Sequence, residues 1–212
     1  MLDVYTLNYD ELFDTVMKDA IDGFVEYPKE DGFDCCKYFD PAIAIKRNDD
    51  KDLFNHIHGS VRFYTYGPGD DDHCPIHFFT ERVGRGTTIK QQILTQDDHL
   101  LLFSPMIVGH EKLESGIHDP FRTYRTNLDI SLKQNDTLMV VGYGYGDFYI
   151  NAIIASFLQK GGKLINITPS GKSGFLKRIL EGKPELRDNI KIIKSNMLDV
   201  ILGNHDEELF PM

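Results

Sequence analysis

Residues Thr137 to Tyr143 form an apolar run that ends in Gly142-Tyr143-Gly144-Tyr145-Gly146-Asp147, after which apolar residues return at Ile150, Ile153, Ile154, Phe157 and Leu158. The run predicts a buried strand and the later spacing predicts one face of a helix, ended by Gly161 and Gly162. A strand that passes through a tight glycine turn into a helix is the first half of a β-α-β crossover. The second half follows at once: Lys163 to Ile167 predicts a strand, Gly174 to Glu181 a helix, and Ile190 to Lys194 a last strand. Strands and helices alternating at this spacing require a mostly parallel sheet with helices on both faces.

The N-terminal part extends the same pattern. Leu2 to Leu7 predicts a short strand, and Leu12, Phe13, Val16, Met17, Ala20, Ile21 and Phe24 follow helical spacing, with Asn8 or Asp10 placed to cap that helix. Asp40-Pro41 marks a loop. Strands are expected at Ala42 to Ile45, Leu53 to Ile57, Val61 to Tyr66 and Leu100 to Val108, and a helix at Phe121 to Leu132. Residues 67–98 form a variable insertion with the acidic tip Asp70, Asp71 and Asp72. A chain of 212 residues suits one domain over 1–212. In parallel sheets ligands sit beyond the carboxyl ends of the strands. Thr6 to Asp10, His58 to Ser60, Gly142 to Asp147 and Asn166 to Ser170 all lie at such ends, so the sequence predicts that they converge on one crevice.

Composition narrows the classes. With 41% hydrophobic and 26% charged residues the chain has the make-up of a folded protein. Its apolar runs are far shorter than the roughly 20 residues a membrane span needs, and its N-terminus has no basic, cleavable leader, so the cytoplasm is the expected location. Cys35, Cys36 and Cys74 are odd in number and include no C-x-x-C pair, which argues against a disulfide framework and a four-cysteine zinc site. His73, Cys74 and His77 are read as loop residues, and Arg122 and Arg125 as ion-pairing surface residues that could meet a phosphate. The net charge of -10 disfavours nucleic acid as a partner.

Four segments together resemble the sirtuin superfamily, in particular its zinc-free, sirtuin-like branch found in bacterial defence systems. Thr6-Leu7-Asn8-Tyr9-Asp10 resembles the family's T-x-N-x-D motif, and His58-Gly59-Ser60 its catalytic His-Gly step. Gly142 to Asp147 with Ile150 and Asn151 is similar to the branch's G-Y-S-x-x-D-x-x-I-N segment, and Asn166 stands where the family places an Asn that contacts the adenosine ribose. The resemblance implies a Rossmann-like fold and NAD as substrate or ligand, without zinc. It implies Asn8, His58 and Asp10 as catalytic residues, and Thr6, Gly142, Tyr143, Gly144, Asp147 and Asn166 as cofactor-binding residues. Missing zinc-ribbon cysteines speak against peptide deacylation, and Leu7 replaces a Gln common in deacylases. The family's first strand and Gly-Ala-Gly diphosphate loop have no counterpart, so the resemblance implies a sheet incomplete at its N-terminus, and a homo-oligomer or a fused partner domain.

These residue types suit cleavage of the bond joining nicotinamide to ribose. Nicotinamide leaves as a neutral molecule, so the site must stabilise a developing oxocarbenium-like sugar and place water against it. Asn8 orients water or a ribose hydroxyl without adding charge. Asp10 binds the nicotinamide carboxamide, as the equivalent carboxylate does in the family. His58 can accept a proton near neutral pH. Glycines 142, 144 and 146 permit close approach of a diphosphate or ribose. The expected activity is an NAD glycohydrolase, with antiphage defence implied by the resemblance alone. Alternatives are a module that senses NAD or an ADP-ribose derivative without cleaving it and, further off, an NAD-dependent deacylase. Taken singly, each residue also has a structural role available: a helix cap for Asn8 and Asp10, a turn for His58 and the glycines, a local hydrogen bond for Asn166.

Overall fold

A computed structural model describes residues 2–9, 11–27, 36–45, 51–65, 76–79, 106–107, 118–196 and 199. The chain divides into two compact units, Met1–Leu128 and Asp129–Met212.

In the first unit β1 (Asp3–Thr6) pairs in parallel with β4 (Leu53–His56), Asp3 opposite Leu53 and Thr6 opposite His56. All four residues of β4 are buried. The helix expected through Phe24 stops early, as α1 (Leu12–Val16). Ile21 leaves the helical path because its backbone bonds to the chain at β4, its N–H donating to Asp52 O at 2.8 Å and its carbonyl accepting from Phe54 N at 2.9 Å. Gly23 completes the break with φ +86°, and a Cβ there would lie 2.5 Å from the Phe39 ring, so only glycine fits. Asn8 does not cap α1. The N-cap is Glu11, which makes no side-chain cap bond.

A four-stranded antiparallel sheet is the main departure from the expected parallel architecture. It runs β2-β3-β6-β5, with β2 (Phe24–Glu26), β3 (Cys36–Phe39), β6 (Ile76–Phe79) and β5 (Phe63–Thr65). Its rings hold it together: Phe24 sits 5.1 Å from Phe63 and 5.5 Å from Phe78, centroid to centroid. The strand expected at Ala42 to Ile45 is instead a helix, α2 (Pro41–Ile45). Pro41 begins it with a preset φ, and Asp40 accepts a hydrogen bond from Ala42 N at 2.8 Å, the usual device of a helix start. The expected strand at Leu100 to Val108 lies almost wholly outside the described residues; Met106 and Ile107 are not in a strand. The expected helix after Pro120 is present as α3 (Phe121–Gln134).

The second unit carries the crossover pattern as expected. Strands β7 (Thr137–Val141), β8 (Lys163–Thr168) and β9 (Ile190–Lys194) form a parallel sheet in that order. Helix α4 (Phe148–Gln159) joins β7 to β8 and buries Ile150, Ile153, Ile154, Phe157 and Leu158, a set worth roughly 1.5–3 kcal/mol per side chain. Gly161, with φ +90°, ends the turn after it. Helix α5 (Gly174–Gly182) and a 3-10 turn at Pro184–Asn189 lead to β9. β7 is less buried than its sequence predicts. Only Val140 is fully buried, because β7 has one hydrogen-bonded neighbour among the described strands and leaves Met139 39% exposed. No helix among the described residues is long and apolar enough to cross a membrane.

Candidate functional site

In the first unit, two turns leave the carboxyl ends of neighbouring parallel strands and run side by side. Ile57 N donates to Thr6 O at 3.0 Å, and beyond the strand ends Val61 N donates to Tyr9 O at 2.9 Å. Thr6-Leu7-Asn8-Tyr9 and His58-Gly59-Ser60 are thereby held against each other by backbone bonds. Thr6 is buried, and its Oγ1 accepts from Asn8 N at 3.1 Å. This fixes the backbone at Asn8 while its side chain remains exposed. Gly59 has φ +97° and its N–H donates to His56 O at 3.1 Å. A glycine after His58 is therefore a geometric requirement of the turn. The His58 carbonyl accepts from Ile107 N at 2.9 Å, and Ile107 O accepts from the Tyr9 hydroxyl at 2.8 Å, so one short segment braces both turns. His58 itself is 5% exposed. Asp10 lies outside the described residues.

A buried pair beneath these turns escaped the sequence reading. His56 Nε2 lies 3.0 Å from Asp14 Oδ1, joining the last residue of β4 to α1, with Phe54 and Phe63 edge-on to the imidazole at 4.7 and 5.6 Å. A second buried link joins Asn127 of α3, whose Nδ2 donates to Asn55 Oδ1 at 3.1 Å and Ala44 O at 3.2 Å. Both contacts span dozens of residues, and no local pattern announces them.

In the second unit the glycine turn is tied down by its two tyrosines. Gly142 has φ +67° and donates to Ile167 O at 3.0 Å, turning the chain away from β7 beside β8. Tyr145 also has positive φ, +57°, a conformation costing a non-glycine residue roughly 1–2 kcal/mol. Three contacts hold it there. Asn151 Nδ2 donates to its carbonyl at 2.9 Å, its hydroxyl donates to Asn166 Oδ1 at 2.9 Å, and its ring stacks on Phe175 at 5.0 Å. The Tyr143 hydroxyl donates to Asn151 Oδ1 at 3.1 Å and accepts from Asp147 N at 3.1 Å. Burial pushes the Tyr143 phenol up to about 12 and raises that of Tyr145 as well, so both are protonated donors near neutral pH.

Asp147 caps α4, its Oδ1 accepting from Tyr149 N at 2.9 Å and Ile150 N at 3.1 Å. The anion-binding amides at this helix start are thus already taken by a carboxylate. The turn is consequently better matched to neutral hydroxyls than to a diphosphate. Two observations fit a ribose. A Cβ built at Gly142, Gly144 or Gly146 meets none of the described residues within 4 Å, leaving the turn open among them to close approach. Asn166 is 1% exposed, yet its Nδ2 has no hydrogen-bond partner among the described residues, a cost that a ligand oxygen would relieve.

Of the residues singled out in the sequence, Thr6, Asn8 and His58 belong to the first unit, and Gly142, Tyr143, Gly144, Asp147 and Asn166 to the second. Tyr145, Asn151 and Phe175 were missed as supports, although a tyrosine flanked by two glycines is a visible sign of a constrained turn. His77 is not a loop residue: it lies on β6, 1% exposed, with Nδ1 3.0 Å from the Tyr27 hydroxyl, and burial lowers its pKa to about 4. Arg125 is buried, whereas Arg122 pairs with Asp119 at 2.6 Å. Cys36 is a buried free thiol, and among the described residues no group of three or more His, Cys, Asp or Glu could hold a metal ion. His73, Cys35 and Cys74 lie outside the described residues.

No curated protein matches this chain. A family model described as SIR2-like domain matches residues 3–187, and the protein belongs to that family.

Proposed function

We propose that this chain is an NAD glycohydrolase domain, cleaving the bond between nicotinamide and ribose. SIR2-like domains use NAD as substrate, so an NAD-related function follows from the family; the hydrolytic outcome is the proposal. The observation that carries it is the backbone pairing of the Asn8 turn with the His58 turn at the ends of β1 and β4. In the proposed reaction Asn8 positions a water and the ribose, Asp10 holds the nicotinamide carboxamide, and His58 accepts a proton from a ribose hydroxyl. The C1′–N bond breaks and its electron pair leaves with nicotinamide, which departs neutral; the water oxygen bonds to C1′ and releases one proton to solvent, and His58 returns its proton to the ribose hydroxyl. Thr6 sets the Asn8 backbone, and in the second unit Gly142, Tyr143, Gly144, Asp147 and Asn166 are the proposed cofactor-binding residues, suited to a ribose. General-base help of this kind is worth about 10²–10⁴ in rate. Nicotinamide release by Asn8→Ala and His58→Ala variants tests the assignment: each is expected to lose activity by that order, and wild-type rates in both would overturn it.

One observation favours a second reading. His58 is buried to 5% exposure, which suits a residue that completes a binding site without exchanging protons with substrate. A sensor of NAD or an ADP-ribose derivative would be stabilised by the ligand and leave it intact. Under the first reading the domain supplies NAD depletion to an antiphage defence protein, so protection from phage in cells should disappear with His58→Ala.

A further inference from the structure

The net charge of -10 conceals a strong asymmetry. Residues 160–194 contain nine Lys and Arg against three Asp and Glu, a net of +6, whereas the remaining residues contain 14 against 30, a net of -16. All nine cations of that stretch, Lys160, Lys163, Lys172, Lys177, Arg178, Lys183, Arg187, Lys191 and Lys194, are exposed.

Six of them, Lys160, Lys163, Arg178, Lys183, Arg187 and Lys191, gather at the end of the second unit's sheet where β8 and β9 begin and α4 and α5 finish. Asn189 Nδ2 donates to Gly161 O at 2.9 Å and Gly162 O at 3.2 Å, bringing the Arg187 to Lys191 segment beside Lys160 and Lys163. Arg178 and Lys183 line a recess of about 220 Å³ with Gln159, over an apolar floor that includes Ile179 and Leu186. Lys172 and Lys194 stand at the opposite, carboxyl end of the strands, and Lys177 pairs with Glu181 at 3.6 Å. Cations at helix carboxyl ends are ordinary, because the helix dipole favours them. That accounts for Lys160 and Lys183, which follow α4 and α5, and leaves four of the six.

We propose that this basic face docks duplex nucleic acid through its phosphodiester backbone. Lysine is depleted in protein–protein interfaces, whose centres are apolar, and here four of the six clustered cations are lysines and Ile192 is the only exposed large apolar side chain recorded among the described residues of the stretch. A row of lysines without an apolar centre is the footprint of phosphate contacts. Single strands are bound with exposed aromatic platforms. The one aromatic residue of the stretch, Phe175, is stacked on Tyr145, so the duplex is favoured. The whole-chain charge, which argues against nucleic acid, averages this face away.

The test is fluorescence anisotropy of the full chain with a labelled DNA duplex of random sequence. Binding at about 50 mM salt is expected to weaken roughly a hundredfold by about 200 mM, as about four phosphate contacts would require. Lys163→Ala, Arg187→Ala and Lys191→Ala combined should weaken binding at least tenfold, whereas Lys163→Arg with Lys191→Arg should retain it; far-ultraviolet circular dichroism confirms that both variants are folded. Absence of binding at low salt, binding indifferent to salt or to the alanine variant, or tighter binding of a matched single strand, polyglutamate or anionic vesicles would each overturn the proposal.

Discussion

Replacing Tyr145 by Phe isolates one hydrogen bond at the glycine turn. The ring and its 5.0 Å stack on Phe175 are kept, and only the hydroxyl that donates to Asn166 Oδ1 at 2.9 Å is lost. Asn166 is 1% exposed and its Nδ2 already lacks a partner among the described residues, so the variant leaves both ends of a buried amide unsatisfied. That costs about 2 kcal/mol, within the 1–3 kcal/mol range for a stranded buried polar group. With a urea dependence of about 2 kcal/mol per M, the unfolding midpoint should fall by about 1 M. The second half of the reasoning concerns the partner. When both groups of a pair become apolar the loss is nearly cancelled, so Tyr145→Phe with Asn166→Leu should recover most of the midpoint. Urea unfolding followed by circular dichroism reads both. An unchanged midpoint in Tyr145→Phe, or a double variant weaker than the sum of the single ones, would refute the account of this turn.

Burial holds the His77 pKa at about 4, below its unfolded value of about 6.5, so the unfolded chain binds more protons between these limits and stability is lost as pH falls through them. The loss by pH 4 is about 3 kcal/mol; urea unfolding at several pH values should show this dependence in the natural chain and a flatter one in His77→Phe, and equal slopes would contradict it. Asp147→Ala removes the carboxylate that accepts from Tyr149 N and Ile150 N, which should cost about 1 kcal/mol. Thermal unfolding measures the loss, and an unshifted transition would deny Asp147 its capping role.

The parts of the fold legible in the sequence are those whose information is local. The run through Val141, the glycines after it and the spacing from Ile150 to Leu158 define β7, its turn and α4 without reference to distant residues, and α3, β8, α5 and β9 follow similarly. Ala42 to Ile45 is a short apolar run, which periodicity alone cannot divide between strand and helix, and there Asp40-Pro41 decides for α2. Leu12 to Phe24 has helical spacing throughout, but long-range bonds from Ile21 to Asp52 and Phe54 override it. The antiparallel sheet depends on Tyr38 meeting His77 across nearly forty residues, which no window reveals. The same division holds at the candidate site. His58 with Gly59 and the Gly142 to Asp147 turn carry their geometry in adjacent residues, whereas Asp14 with His56 and Tyr145 with Asn166 exist only once the strands are placed.

The most direct measurement is chromatographic separation of the products after NAD is incubated with the chain. Nicotinamide and ADP-ribose appearing in equal amounts, with both lost in His58→Ala, is the result expected of an NAD glycohydrolase. NAD recovered intact while raising the thermal transition of the protein would contradict hydrolysis and establish a domain that binds the dinucleotide without cleaving it.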